Sequence, residues 1–158
     1  MKLAAFFSGG KDSAYAIYDV KKAGHDVQVL FTVLPESDES HLLHFPNIEQ
    51  TKIQSQSMCI PQIIQTIEDI RSDIEELKLN ELIKKAKKTF DFEGIVHGGI
   101  SSVYQKEKFE NLCHKNNLKL ISPIWQKNAV SYMKELLDSG FEFIITSVSS
   151  GGLDQSWL

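Results

Sequence analysis

Residues 3–13 read LAAFFSGGKDS and decide the fold, because a buried-strand pattern runs directly into a glycine turn. The first five residues are all apolar, without the alternation of a half-exposed strand, which is typical of a strand covered on both faces. A helix is predicted from Ser13 to Ala23, ahead of Gly24, a residue type that commonly ends helices. We therefore predict a central strand, a turn and a helix in direct succession.

The turn has the properties of an anion site. Glycines let phosphate oxygens approach the backbone amides, and the start of a helix adds a partial positive charge. The predicted phosphate loop consists of Ser8, Gly9, Gly10, Lys11, Asp12 and Ser13. Lys11 supplies a full positive charge and the serines supply hydroxyl donors. Asp12 fits such a site if it caps the helix or holds a magnesium ion.

The loop differs from the two common glycine-rich nucleotide motifs. A Walker A motif needs a glycine five positions before the Gly-Lys pair, but position 5 is Ala, and the pattern GxGxxG is absent as well. The alternative interpretation is an ordinary helix-capping turn. The strand that precedes the turn favours a nucleotide site, since such motifs are recognised by their structural setting.

Strand and helix patterns alternate along the rest of the chain. Further strands are predicted at residues 27–34, 62–67, 94–97, 119–121 and 141–148, and helices at 46–58, after Ser72, at 102–116 and after Asn128. This order predicts an α/β fold: a doubly wound, mostly parallel, five-stranded sheet with helices on both faces. In the common order 3-2-1-4-5, the turns at Gly9 and Gly98 follow neighbouring strands and line one crevice.

Several local patterns predict helix ends and buried faces. Ser72 and Glu75 have the spacing of a capping box, and Asn128 is expected to cap the last helix. The expected inward-facing residues of the helix after Ser72 are Leu77, Leu82, Ile83 and Ala86, and the last helix bears the apolar residues Val130, Met133, Leu136 and Leu137. Lys84, Lys85, Lys87 and Lys88 are expected to be solvated. Residues 36–44 read as a surface loop.

The composition of the chain argues for some classes of protein and against others. The 158 residues, 42% hydrophobic and 24% charged, predict one globular domain spanning residues 1–158. A net charge of −4 argues against general nucleic-acid binding. Cys59 and Cys113 are too far apart for a CxxC motif, so both are expected to be buried thiols. No apolar run spans a membrane and the first residues do not resemble a signal peptide, so we expect a cytoplasmic protein.

The phosphate loop resembles the SGGxDS loop of the PP-loop ATP pyrophosphatases, whose fold is Rossmann-like and adenine nucleotide alpha-hydrolase-like. Four more segments, in the same order along the chain, are similar to motifs of the diphthine–ammonia ligase family. They are the HFPN segment from His44 to Asn47, residues 98–110 (GGISSVYQKEKFE), PIW at residues 123–125, and Gly152-Leu153 with Trp157-Leu158. Lys108 stands where the family usually has Arg, and Gly99 replaces a small or acidic residue. The chain stops at Leu158, where the family continues with a further C-terminal stretch.

This resemblance implies an activity and a set of site residues. The family uses ATP and Mg²⁺ to adenylate the diphthine carboxylate of a translation elongation factor, releases pyrophosphate, and amidates the product with ammonia (ammonium). The implied catalytic residues are Lys11, Asp12, Tyr104, Gln105 and Glu110, with Ser8 to Ser13 holding the nucleotide and Asp12 near magnesium. The implied substrate-side residues are His44, Asn47, Gly98, Gly99 and Ser102. The oligomeric state stays open, a homodimer included.

The same residues also fit structural roles that need no substrate. Ser102 with Gln105 also has capping-box spacing, Asn47 also suits a helix cap, Tyr104 also suits the core, and Glu110 also suits a solvated helix face. At the level of the whole protein, the alternatives are a PP-loop tRNA-modifying enzyme and a non-catalytic ATP- or AMP-binding regulatory domain.

Overall fold

The computed structural model of the protein describes residues 1–35, 47–68, 71–146 and Ser156. Several predicted features lie outside these residues: the loop at 36–44 with its His44, the end of the strand predicted at 141–148, and the GL and WL elements near Leu158.

Strands and helices alternate as the sequence predicts. The strands are β1 (Lys2–Phe6), β2 (Asp26–Pro35), β3 (Gln62–Ile67), β4 (Gly94–Val96) and β5 (Lys119–Ile121). The helices are α1 (Lys11–Lys22), α2 (Ile48–Met58), α3 (Ser72–Ala86), α4 (Val103–Lys115) and α5 (Ala129–Asp138).

All strand pairs are parallel, and the sheet has the order β3-β2-β1-β4-β5. The predicted doubly wound α/β fold is thereby confirmed, including the placement of β1 beside β4. Ala5 of β1 faces Leu30 of β2 on one side and Val96 of β4 on the other. The carboxyl ends of β1 and β4 therefore meet at one edge of the sheet, where their two glycine turns begin.

The central strand is buried on both faces, which explains its unbroken apolar sequence. Ala4 and Phe6 belong to the core cluster that α3 and α4 cover. Leu3, Ala5 and Phe7 belong to the opposite cluster, which α1 covers. Burying every side chain of a strand requires a helical layer on each side, so the LAAFF pattern and the two-layered covering have one cause.

The chain forms two compact units, Met1–Lys127 and Asn128–Leu158. The first contains the entire sheet and α1 to α4. The second begins with α5, where the Asn128 side chain accepts a hydrogen bond from the Ser131 amide at 3.1 Å, as predicted for a cap. No helix in the described ranges is long and apolar enough to cross a membrane.

The strand predicted at residues 141–148 is wrong over its described part, because residues 141–146 form no strand. Two of their apolar side chains are exposed: Ile144 is 85% and Ile145 is 55% exposed. An apolar, β-branched run is compatible with a strand, but only pairing with a neighbour makes one, and local sequence does not supply that neighbour.

The prediction for the start and the inner face of α3 is wrong in part. Helix α3 begins at Ser72 with Arg71 in the N-cap position, so Ser72 does not hold the N-cap position that the predicted capping box requires. Leu77 is half exposed, and Leu79 occupies the core in its place. In α5 the buried residues are Tyr132 and Leu136, whereas the outward residues are Val130 and Leu137. The four lysines from 84 to 88 are exposed as predicted.

Candidate functional site

The phosphate loop connects β1 to α1 and is held by its own serines. Gly9 has φ +80°, a conformation that favours glycine. The Ser13 hydroxyl donates to the Gly10 carbonyl at 3.0 Å and accepts from the Ser8 amide at 3.3 Å. Ser13 is buried. Its hydroxyl, predicted from the sequence to be a donor for phosphate, thus shapes the loop from within.

Helix α1 begins without a side-chain cap. Gly10 occupies the N-cap position with extended dihedral angles and makes no capping bond. The first amides of a helix have no carbonyl partner inside the helix and carry the positive end of its dipole. An anion at this helix start would take the place of a cap. The capping role considered for Asp12 is therefore wrong, because Asp12 lies within the first turn.

Lys11 and Asp12 place opposite charges at the mouth of the loop. The Lys11 ammonium lies 3.0 Å from both carboxylate oxygens of Asp12, and both side chains are about one-third exposed. Magnesium in nucleotide sites takes one or two carboxylates together with substrate phosphates, and Asp12 fits that requirement. Within the described ranges no three His, Cys, Asp or Glu side chains converge into a metal site made by protein alone.

The second glycine turn packs directly on the start of α1. A Cβ atom on Gly98 would lie 2.9 Å from the Cα of Ser13 and 3.0 Å from the backbone carbonyl of Asp12. Since these neighbours are backbone atoms, no side chain can be accommodated there without moving α1. The structure brings the second glycine turn against the start of α1, as the predicted convergence requires, and Gly98 is the point of contact.

Gly99 is constrained by the neighbouring histidine. A Cβ on Gly99 would lie 2.3 Å from Cε1 of His97, whose ring packs 4.2 Å from the Phe109 ring centroid. The Gly99 amide lies 3.3 Å from His97 Nδ1 and donates to it. A side chain at position 99 would therefore require the His97 ring to move. This pairing was missed at the sequence level, since it joins a buried ring to a turn only in three dimensions.

A set of polar side chains on β2, α2 and β3 supports the other side of the loop. The Thr32 hydroxyl donates to the Phe7 carbonyl at 2.8 Å, and Gln62 donates to Thr32 at 2.7 Å and to Thr51 at 3.0 Å. Gln54 donates through Nε2 to the Gly9 carbonyl at 3.1 Å. Thr32 and Thr51 are fully buried. Sequence reasoning missed this network.

A signal for it exists in the sequence of α2. Thr51, Gln54, Ser55 and Met58 follow helical spacing, and Thr51 and Ser55 are buried while Ile53 is 58% exposed. A helix that turns polar side chains inward and an isoleucine outward needs polar partners in the interior. The backbone of the phosphate loop supplies one of these partners.

Helix α4 carries the next group of candidate residues. Ser102 is its N-cap and accepts from the Gln105 amide at 3.3 Å, so the capping alternative for Ser102 is observed. Tyr104 is 41% exposed, which rules out the core alternative. Lys108, in the position usually held by Arg in the similar family, lies 5.9 Å from the Tyr104 ring centroid and 3.3 Å from the Glu76 carboxylate.

Glu110 lies about two helical turns beyond the start of α4. It is exposed and pairs with Lys106 at 3.6 Å. The Lys106 ammonium also lies 4.7 Å from the Trp125 ring centroid. These contacts fit the solvated alternative for Glu110, and they do not bring it to the phosphate loop. Its catalytic role stays a prediction.

The remaining substrate-side residues precede α2. Asn47 is the N-cap of this helix, and its side chain accepts from the Gln50 amide at 3.2 Å. The capping alternative for Asn47 is therefore realised, while its contact with substrate stays a prediction. His44 lies outside the described residues.

Two groups have altered acidity. Hydrogen bonds from Lys115 and then Lys108 hold the pKa of Glu76 below its ordinary value, against the opposing effect of burial. Burial, with a smaller contribution from Glu110, raises the pKa of the Cys113 thiol to about 12. Cys113 is buried as expected, but Cys59 is exposed, because it ends α2 in a left-handed conformation with φ 54°. The expectation that both thiols are buried is wrong for Cys59.

Comparison with known proteins identifies the family. The model of the diphthamide synthase N-terminal domain matches residues 1–120. The chain belongs to this family. A curated relative, diphthine–ammonia ligase of Rattus norvegicus, is 32% identical over 98% of this chain and 64% of its own length. The chain thus spans a little under two thirds of that relative.

Two more distant similarities come from proteins linked by name to tRNA. A tRNA-specific 2-thiouridylase of Helicobacter acinonychis is 26% identical over 87% of this chain and 40% of its own length. A solved structure from Methanocaldococcus jannaschii, described as a predicted subunit of tRNA methyltransferase, has a TM-score of 0.56 at 19% identity, covering 95% of this chain and 81% of that one. At this identity the structural likeness supports the fold alone.

Proposed function

We propose that the chain is an ATP-dependent diphthine–ammonia ligase acting in the cytoplasm. The observation that carries the proposal is the contact of Gly98 with the start of α1, which joins the family's acceptor-side motif to the phosphate loop. Membership of the diphthamide synthase family and the names of its curated relatives support this reaction.

In the proposed reaction the diphthine carboxylate of a translation elongation factor attacks the α-phosphate of ATP. The carboxyl-adenylate forms and pyrophosphate leaves. Ammonia then displaces AMP from the mixed anhydride, and the amide is the product. A free carboxylate cannot be amidated directly because oxide is a very poor leaving group, and adenylation replaces it with AMP.

The side chains and backbone of the loop have separate tasks in this proposal. The uncapped amides at the start of α1 and the Lys11 ammonium stabilise negative charge on the departing pyrophosphate. Asp12 would hold Mg²⁺, which when bound neutralises phosphate charge. Tyr104 and Gln105, in the first turn of α4, follow the Gly98 turn and are proposed to orient the acceptor.

One assay tests the whole proposal. The chain is incubated with ATP and a diphthine-bearing elongation factor, with and without ammonium, and AMP, pyrophosphate and amide are measured. We expect amide only when acceptor and ammonium are both present. Lys11→Ala and Asp12→Ala should each lower pyrophosphate release by about 100-fold or more. The first removes a positive charge that stabilises the departing pyrophosphate, and the second removes the proposed ligand of Mg²⁺. Lys21→Ala, an exposed lysine in the last turn of α1, is the matched control.

The outcomes also separate the alternatives. ATP that binds but is never cleaved would favour the non-catalytic regulatory domain. AMP formation that depends on tRNA and not on the elongation factor would favour a tRNA-modifying enzyme, which the thiouridylase relative supports. A sulfur-transfer mechanism with a pair of cysteines finds little support in this chain, since Cys113 is buried with a raised pKa and Cys59 is exposed.

A further inference from the structure

Helix α2 is in contact with the phosphate loop through one amide side chain. Gln54 Nε2 donates to the Gly9 carbonyl at 3.1 Å, across 45 residues of sequence. A Cβ on Gly9 would lie 2.7 Å from Gln54 Oε1 and 2.9 Å from Thr51 Cγ2, so α2 packs tightly against this glycine. Nothing in the family resemblance gives Gln54 a role.

The orientation of the Gln54 amide is set by the loop. An oxygen placed against the Gly9 carbonyl would repel it, so Nε2 must face that carbonyl. As a consequence Oε1 is buried without a hydrogen-bond partner among the described residues. A buried acceptor without a partner is costly, and such groups call for a functional or structural reason. The hydrogen bond from Gln54 Nε2 to the Gly9 carbonyl therefore forms although Oε1 of the same amide has no partner among the described residues.

The hydrogen bond from Gln54 to the Gly9 carbonyl fixes the orientation of the Gly9–Gly10 peptide plane. In a planar trans peptide the carbonyl of one residue and the N–H of the next point to opposite sides. Holding the Gly9 carbonyl toward α2 therefore aims the Gly10 N–H away from α2. Gly10 is exposed, and among the described residues a Cβ there would meet only Ser8 Oγ at 3.6 Å, so these residues leave the side of the loop at Gly10 open.

A glycine pair rotates easily, because neither residue has a Cβ to restrict its dihedral angles. Without a restraint, the Gly9–Gly10 peptide can turn its carbonyl to the open side and present an oxygen to an incoming phosphate. The Ser13 hydroxyl holds the next carbonyl, that of Gly10, at 3.0 Å, but it does not touch the Gly9 carbonyl.

We infer that Gln54 is a positioning residue that locks the Gly9–Gly10 peptide with the Gly10 N–H facing the phosphate of the nucleotide. The identity of the bound anion rests on the proposed function, whereas the lock itself rests on the geometry. Thr51 and Gln62 keep α2 in place for this role, since Gln62 ties Thr51 to the same Thr32 that holds the Phe7 carbonyl.

The central variant is Gln54→Met, which keeps the size of the side chain and removes the donor. Gln56→Met is its matched control, because Gln56 is exposed on the same helix. We expect Gln54→Met to weaken binding of ATP and of pyrophosphate by about 10- to 100-fold in calorimetry. This is the loss expected when one hydrogen bond to a charged group, here from the Gly10 N–H to phosphate, is no longer made. Its melting temperature should stay within about 2 °C of the control. Equal affinities of the two variants would overturn the inference.

A second variant tests the donor directly. Gln54→Glu places a carboxylate against the Gly9 carbonyl at neutral pH, and only the protonated acid can donate. The ratio of its ATP affinity to that of the wild type should rise as the pH falls from about 8 to about 5.5, because burial beside a carbonyl raises the pKa of the new carboxyl. A ratio that does not change with pH would contradict the donor role.

A third measurement separates the lock from the proposed function. Without nucleotide, ¹⁵N relaxation dispersion should detect exchange at the amides of Ser8 to Lys11 in Gln54→Met and not in Gln56→Met, as the peptide begins to flip. If the wild type binds neither ATP nor pyrophosphate, the proposed function is wrong while this experiment still decides the lock. Identical dispersion in both variants would overturn it.

Discussion

Helices α1 and α4 start in similar places but in different ways. Each follows a glycine turn at the end of one of two adjacent parallel strands, β1 and β4. Helix α4 has its own cap, with Ser102 accepting from the Gln105 amide. Helix α1 has none, because Gly10 stands in the capping position. We therefore expect an anion at the start of α1, whose N-cap residue has no side chain that could accept from the first amides.

The two helices are also anchored differently. Helix α1 is held by the apolar residues Ala16, Ile17 and Val20 in the core, and by the backbone contact at Gly98. Helix α4 adds ion pairs to its apolar face, since Lys108 and Lys115 both bind Glu76 of α3. Helix α1, which carries the proposed phosphate site, is thus anchored by apolar contacts, whereas α4 is anchored by apolar contacts and ion pairs together.

Giving α1 a cap should have the largest effect. Gly10→Asp is compatible with the extended dihedral angles and the open space at this position. Its carboxylate would accept from the first amides of α1 and raise the free energy of unfolding by a few tenths of a kcal/mol. The same carboxylate repels phosphate, so we expect ATP affinity to fall by about 100-fold or more. Calorimetry and urea denaturation measure the two effects.

Gly10→Ala is the control for this change, because it adds a Cβ without an acceptor. It should reduce ATP affinity much less than Gly10→Asp does. If Gly10→Asp still binds ATP as tightly as Gly10→Ala, the helix start is not the anion site.

Disturbing the contact between the two turns should come next. Gly98→Ala forces a Cβ to within 2.9–3.0 Å of the backbone of Ser13 and Asp12. We expect the free energy of unfolding to fall by about 1–3 kcal/mol, the usual range for overpacking, because α1 must shift. Gly10→Ala, with its nearest neighbour at 3.6 Å, should cost less than about 1 kcal/mol as a poorer N-cap. Equal losses in urea denaturation would show that the turns are not in contact.

The smallest effect concerns the charges that support α4. Glu76→Gln should lower the free energy of unfolding at pH 7 by about 1 kcal/mol or less, because its two lysine partners are partly exposed and screened. The folded-state pKa of Glu76 lies below its ordinary value, so this stabilisation is present at neutral pH and is lost as pH falls through the folded pKa. The difference from the wild type should shrink as the pH falls below the ordinary pKa of glutamate and vanish below the folded-state pKa.

Glu81→Gln is the matched control on α3. Glu81 pairs with Lys78 at 3.0 Å, but both side chains are more than 40% exposed. Its replacement should change stability little at any pH. A loss as large as that of Glu76→Gln would mean that the α3–α4 ion pairs contribute no more than an ordinary surface pair.

The sequence by itself determined the order of the elements, the sheet and the phosphate loop. These follow from local causes: an apolar run needs cover on both faces, glycines permit a tight turn, and alternating strands and helices leave few parallel topologies. The Asn128 cap and the Ser102 cap are also local, since side chain and amide are three residues apart.

Only the tertiary structure decided what surrounds the loop. Gln54 reaches Gly9 across 45 residues, Gly98 meets Ser13, and His97 fills the space beside Gly99. The side chains of Ile144 and Ile145 are compatible with a strand, so the sequence could not exclude one there. Strand formation also depends on a pairing partner, and both residues are exposed in the structure. Contacts between segments distant in sequence depend on how whole elements pack. For that reason the loop between β1 and α1 could be predicted from the chain, and the hydrogen bond from Gln54 to Gly9 could not.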